Sequence, residues 1–148
     1  MISWREEGLL IGVRRHGESA AIVDVLTREH GRHTGVVRGG ASRKIAPTLQ
    51  PGNQVDATWS ARLEDHMGAF VIEPVRSRAA GLMDNRLALA ASGAICALLC
   101  RLLPERQAHA ELYDDTVALF DVVTLTEDWP LAYLQWEMNL LEALGSGL

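Results

Sequence analysis

The sequence predicts an α+β chain: a small five-stranded β-barrel or sandwich over residues 1–80, followed by an α-helical part over residues 81–148. Three observations carry this. Apolar residues alternate with period two as far as about residue 75, then recur at helical spacing from about residue 84 onward. Turn residues separate the alternating runs. Charge changes at the same boundary: residues 1–80 hold eleven of the fourteen Lys and Arg against nine acids, whereas residues 81–148 hold three against ten. A net of +2 followed by a net of −7 suggests two units with different partners, and the first suits a phosphate backbone.

Leu9, Ile11 and Val13 alternate along the first strand, which ends at the His16-Gly17 turn. Ala21, Val23 and Val25 mark the second, with Arg28 to Gly31 as the next turn, and Thr34 to Arg38 is a short third. In the fourth, Val55, Ala57, Trp59, Ala61 and Leu63 fall on one face, with Asp56, Thr58, Ser60, Arg62 and Glu64 on the other. Strict alternation of this kind marks a half-buried antiparallel strand. Gly68 to Val75 makes a fifth, with Pro74 near its end, where a missing N–H does least harm. Five short strands suit an OB-fold or an SH3-like barrel, and strand count does not separate them.

Asp84 is placed to N-cap a helix from about Asn85 to Leu103, stopped by Pro104. Apolar residues nearly all round it predict burial among other helices. A second helix is expected from Glu105 to Leu125, with Leu112, Leu119 and Val123 at helical spacing. A third begins near Asp128-Trp129-Pro130 and ends at Gly145, read as a left-handed C-cap.

Several function classes are disfavoured. Two cysteines, Cys96 and Cys100, form no disulfide framework, a reduced intracellular pattern. Acids near the N-terminus stand where a signal peptide needs an apolar run, and the longest uncharged segment, Leu87 to Cys100, is too short to span a bilayer. A soluble, cytoplasmic protein is expected. The two cysteines share a helical face, but zinc needs four ligands and no Cys or His pair follows, so they read as small buried hydrophobes. His109-Ala110-Glu111 lacks the second half of a deaminase signature. Gly35 to Gly40 approaches phosphate-loop spacing, but Ala41 stands where the lysine belongs. No nucleophile, metal set or cofactor loop emerges, so neither an enzyme nor a cofactor is expected.

The feature that does point to a function is a basic segment. Arg28, Arg32, Arg38, Arg43 and Lys44 occur with Glu29 as the only acid among them, and Gly39-Gly40-Ala41-Ser42 makes a small-residue loop able to approach a phosphate. Guanidinium forks fit phosphate, and such charges supply most sequence-independent affinity for DNA. The plainer reading is a solvated surface loop. Aromatic platforms are scarce: Trp4, Trp59 and Phe70 are the candidates, and Trp59 shares its face with core residues. Backbone electrostatics should therefore outweigh base stacking.

Taken in order, Glu7-Gly8-Leu9-Leu10-Ile11, Gly17-Glu18-Ser19, Ile22-Val23, Leu26 to Arg32, Val37-Arg38-Gly39 and Leu49 to Asn53 resemble the opening of the RecO family of bacterial recombination mediators. Trp129-Pro130-Leu131 and Leu140 to Gly145 extend the resemblance over nearly the whole chain. It implies a five-stranded OB-fold β-barrel that binds DNA, then a partner-binding α-helical domain, without catalytic activity, cofactor or bound metal here. It further implies binding of single- and double-stranded DNA, strand annealing, association with RecR and the single-strand binding protein SSB, and help in loading RecA on nucleoid DNA. By charge and position, Arg14, Arg15, Arg28, Arg32, Arg38, Arg43 and Lys44 are the DNA-facing candidates.

Family members run on past the Leu140–Gly145 helix, so the helical part is expected to be incomplete in this chain. Some members bind zinc through cysteines in that later stretch, which Cys96 and Cys100 do not replace. A net of −7 would repel the acidic SSB tail, so that surface is expected to be locally basic or to lie beyond these residues. The alternative to a DNA binder is an OB-fold protein-interaction adaptor with little direct DNA binding.

Overall fold

Alternation sets the strands, and the chain closes them on themselves. In the computed structural model, which describes residues 1–146, β1 (Ile2–His16), β2 (Ala20–Thr27), β3 (Gly31–Val37), β4 (Gln54–Ala61) and β5 (Ala69–Arg76) form a closed barrel in the order β1-β2-β3-β5-β4. The long β1 serves two neighbours, pairing Ile2 to Leu9 with β4 and Gly8 to His16 with β2. An irregularity between Leu10 and Gly12 lets it bend from one to the other. This is an OB-fold. Its weakest seam is β3 to β5, a parallel contact at Val36 and Ala69.

Leu10, Val23, Val25, Val37, Val55, Ala57, Trp59 and Phe70 fill the interior. The fourth strand ends at Ala61, so the expected continuation through Leu63 and Glu64 becomes an exposed loop. The first strand begins seven residues earlier than the Leu9 start expected, at Ile2. The third is Gly31–Val37, leaving Arg38 outside it, and the fifth is Ala69–Arg76.

Four helices follow: α1 (Ala79–Met83), α2 (Arg86–Leu102), α3 (Ala110–Leu125) and α4 (Pro130–Ser146). The short α1 was not expected. It moves the cap of α2 by one residue: Asn85, not Asp84, is the N-cap, its side chain accepting from the N–H groups of Leu87 and Ala88 at 3.1 Å. Asp84 instead ends α1. One face of α2 is buried (Ala88, Ala91, Ile95, Leu99) while Leu87 and Leu89 are exposed, so the helix is one-sided and not buried all round. Residues 104–109 are not helical, because Arg106 has φ 64°, in the left-handed region an α-helix does not admit. Gly145 lies within the last turn of α4 and does not have positive φ, so it is no left-handed cap. Gly147 and Leu148 lie outside the described residues.

The helices share their core with the outer face of the barrel. Leu9, Ile11 and Leu26, which point away from the barrel interior, join Ile95, Leu99, Phe120, Trp136 and Leu140 in one buried cluster. Trp136 Nε1–H donates to Thr116 Oγ1 at 2.9 Å and ties α4 to α3. None of the described helices is long and apolar enough to cross a membrane.

Candidate nucleic-acid interface

Strand register brings three chain segments to one end of the barrel. Arg15 of β1 pairs with Ala21 of β2, which pairs with Val37 of β3, so the β1–β2 turn and the start of the β3–β4 loop are neighbours. The Ala41 N–H joins them, donating to the Ser19 carbonyl at 3.1 Å. The loop then coils back on itself, with Ser42 N–H donating to Gly39 O and Ala46 N–H to Ser42 O, each at 2.9 Å. That coil turns Leu49 and Ile45 toward the barrel interior and leaves Arg43 and Lys44 exposed. Gly40 is buried against Ala21 and Leu49, so packing accounts for its missing side chain.

Five of the seven cations singled out from the sequence border this end: Arg14 and Arg15 at the close of β1, Arg38 just after β3, and Arg43 and Lys44 on the loop. All five are exposed, and among the described residues none pairs with a carboxylate. Arg15 reaches the Glu18 carbonyl at 3.0 Å.

The other two lie elsewhere and are engaged. Arg28, in the β2–β3 turn, pairs with Asp114 of α3 at 3.3 Å and with Glu29 at 3.2 Å. Its guanidinium is held above its ordinary pKa, chiefly by the Asp114 hydrogen bond. Arg32 is largely buried: Nη1 meets Asp24 at 3.1 Å, while Nε and Nη2 donate to the Leu103 carbonyl at 3.1 and 2.8 Å. These two side chains fasten the barrel to the helical part.

Arg32 also borders a cleft of about 780 Å³ on the outer face of β2 and β3, lined by Arg14, Asp24, Thr34, Asp65, Glu105 and Arg106 among others. This is the face on which OB-folds commonly take oligonucleotides. The sequence held no sign of it, since Glu105 and Arg106 come from the connection between α2 and α3.

Inside the barrel, Trp59 and Phe70 are core residues, whereas Trp4 is half-buried and stacks on His30 with ring centres 4.0 Å apart. His30 Nδ1–H donates to Glu6 at 2.6 Å. Burial pushes the Glu6 carboxyl up, but hydrogen bonds from His30, the Glu29 N–H and Thr27 outweigh it and hold it below its ordinary value. His33 is buried at 6% exposure between Trp4 and Trp59, and its Nδ1 has no hydrogen-bond partner among the described residues. Burial, with help from Arg106 and His30, pushes its pKa down to about 4. Cys96 is buried and Cys100 half-buried, with burial raising their thiols to about 12 and about 11. Among the described residues no group of three or more His, Cys, Asp or Glu is arranged to hold a metal ion.

The comparisons agree with this architecture. The family model for the recombination protein O N terminal matches residues 1–78, and that for the recombination protein O C terminal matches residues 83–148. The DNA repair protein RecO of Roseobacter denitrificans is 62% identical over 147 residues, 99% of this chain and 61% of that protein. The protein of the same name from Cereibacter sphaeroides (strain ATCC 17029) is 60% identical over 148 residues, 100% of this chain and 61% of its own length. That from Ruegeria is 56% identical over 147 residues, 99% of this chain and 61% of its length. The chain thus spans about 61% of the length of these relatives. Matched in both halves and in the same order, the chain belongs to the RecO family.

Proposed function

We propose that this chain is the DNA-binding part of a repair and recombination mediator, gripping the phosphate backbone with the barrel end that carries Arg14, Arg15, Arg38, Arg43 and Lys44. The observation that carries the reading is their shared location and freedom from carboxylates. Cations already paired would have to break those pairs before displacing counterions from DNA, whereas these five are available at once. Arg28 and Arg32, although candidates by charge, contribute little in this reading because acids and a carbonyl already hold them.

Such a surface reads charge and not base sequence, which suits binding to single and double strands and the annealing of complementary ones. The helical part would face proteins, RecR among them. SSB, with its acidic tail, would need a locally basic surface and not the net −7 of residues 81–148, and RecA would be reached through these partners. The chain would act without catalysis, in the cytoplasm on nucleoid DNA. Replacing Arg38, Arg43 and Lys44 together by alanine should weaken single-stranded oligonucleotides of different sequence equally, by roughly tenfold or more at low salt. Unchanged affinity would remove this end from the mechanism.

A second reading, an adaptor with little direct DNA binding, is favoured by one feature: Leu87, Leu89, Leu131, Leu134, Met138 and Leu141 are exposed on α2 and α4. Retention of a protein partner together with no DNA shift at low salt would select it.

A further inference from the structure

Residues 103–107 run beside the edge of β3. The Arg106 N–H donates to the Arg32 carbonyl at 2.8 Å, and Glu105 forms a parallel bridge with Arg32, beside the stretch of β3 that β5 does not reach. Glu105 Oε1 lies 2.6 Å from Thr34 Oγ1 and 4.0 Å from Arg32 Nη1. The Arg106 guanidinium sits 5.0 Å over the Trp59 ring and donates to the Glu64 and His66 carbonyls of the β4–β5 loop. Gly31 leaves room for this approach, since a Cβ there would overlap the Gln107 backbone.

Two of these contacts, those of the Glu105 carboxylate and of the Arg106 guanidinium over Trp59, resemble ones that a polynucleotide makes. A carboxylate takes the place of a phosphate beside a guanidinium and a hydroxyl, and a planar cation takes the place of a base on an aromatic ring. The segment is also built to leave. Pro104 to Ala108 are all exposed, so polar contacts open to water, individually weak, hold it down. Arg106 keeps a left-handed conformation that a non-glycine residue adopts only when its contacts hold it there. Thr34 has a single proton to share between Glu105 and Asp24, both at 2.6 Å, so its bond to Glu105 is contested.

We propose that residues 104–108 form an autoinhibitory strap that lies on the edge of β3 and walls one side of the strand 2–3 cleft in the free protein, and that single-stranded DNA displaces it. Glu105 then yields its place beside Thr34 to a phosphate, Arg32 staying with Asp24 and the Leu103 carbonyl, and Arg106 yields its place over Trp59. Because Arg14 lines the same cleft, the displaced strap would join this face to the basic barrel end in one track. The inference rests on the DNA-binding reading above and adds to it the regulation of that surface.

The test combines amide hydrogen exchange of the 148-residue chain, with and without an oligothymidylate of about fifteen residues, with titrations of Glu105→Gln and Arg106→Gly. Glycine at 106 accepts positive φ, so that variant loses the guanidinium and keeps the chain path. On binding, exchange at the Arg106 amide should rise by about tenfold or more, because its bond to Arg32 opens. Both variants should bind about three- to tenfold tighter at low salt, the log–log salt slope steepening by about 0.7 for each phosphate gained. Binding with Arg106 exchange unchanged or slowed, and both variants at wild-type affinity, would overturn the strap and leave the barrel-end reading standing. Binding by the variants alone would support the strap, and absence of binding by all three proteins would overturn both proposals.

Discussion

The Arg78 guanidinium, 4% exposed, donates to the Asp121 carboxylate of α3 at 2.8 Å, joining the segment after β5 to the helical part. The same guanidinium donates to the Gly52 carbonyl at 3.1 Å and to Gln54 Oε1 at 2.8 Å, so one side chain satisfies acceptors on both sides of the junction. Asn53 completes the arrangement: its Oδ1 accepts from the Arg78 and Ala79 N–H groups at 2.9 and 3.0 Å, fixing the start of α1.

Arg78→Ala should therefore destabilise the chain by about 3 kcal/mol, the usual cost of leaving buried acceptors and a charge without their partner. Arg76, which also pairs with Asp121, limits the loss. Chemical denaturation should show a lower midpoint, with barrel and helices still unfolding in one transition because they share a core.

His33 makes stability depend on pH. Its folded pKa of about 4 lies below its ordinary 6.5, so the unfolded chain binds its proton more readily. The stability held at neutral pH is therefore lost as pH falls from about 6.5 through 4, on the order of 2 kcal/mol. His33→Phe removes the titrating group and should flatten the melting temperature across that window. An equally steep profile in the variant would assign the effect to other groups, Glu6 among them.

Gly31→Ala should cost about 2–4 kcal/mol, combining the penalty for a side chain at φ 71° with overlap against Gln107. Exchange at residues 103–107 should rise at the same time, since relief of the overlap requires that segment to lift. Loss of stability without faster exchange there would place the adjustment in the β2–β3 turn instead.

Arg28→Ala, by contrast, should change DNA affinity by less than about twofold, because Asp114 and Glu29 already engage that guanidinium. A loss comparable to that from Arg38→Ala would show that the Arg28 pairs open on binding.

These outcomes depend on relations of differing visibility in the sequence. The strand over Val55 to Ala61 was legible because its inward residues are all apolar and buried. The first half of β1 was not, because Glu6 interrupts the apolar run Ile2, Trp4 and Gly8 on the inward side; its partners, His30 and the Glu29 N–H, are more than twenty residues away. Charge alone singled out the basic segment, and local spacing could not separate Arg38 from Arg32. What distinguishes them is distant in sequence: Arg32 meets Leu103 across 71 residues and Arg28 meets Asp114 across 86. The pairing of the α2–α3 connection with β3 left no local sign either, since Glu105 and Arg106 follow Pro104 as an ordinary helix start would.

The most direct test of backbone recognition at the barrel end is a fluorescence titration of single-stranded DNA repeated over a series of salt concentrations. Five unpaired cations should give a log–log slope of roughly −3 to −4, with the Arg38, Arg43 and Lys44 triple-alanine variant falling to roughly −1 to −2. A slope near zero, or one that the triple substitution leaves untouched, would contradict it.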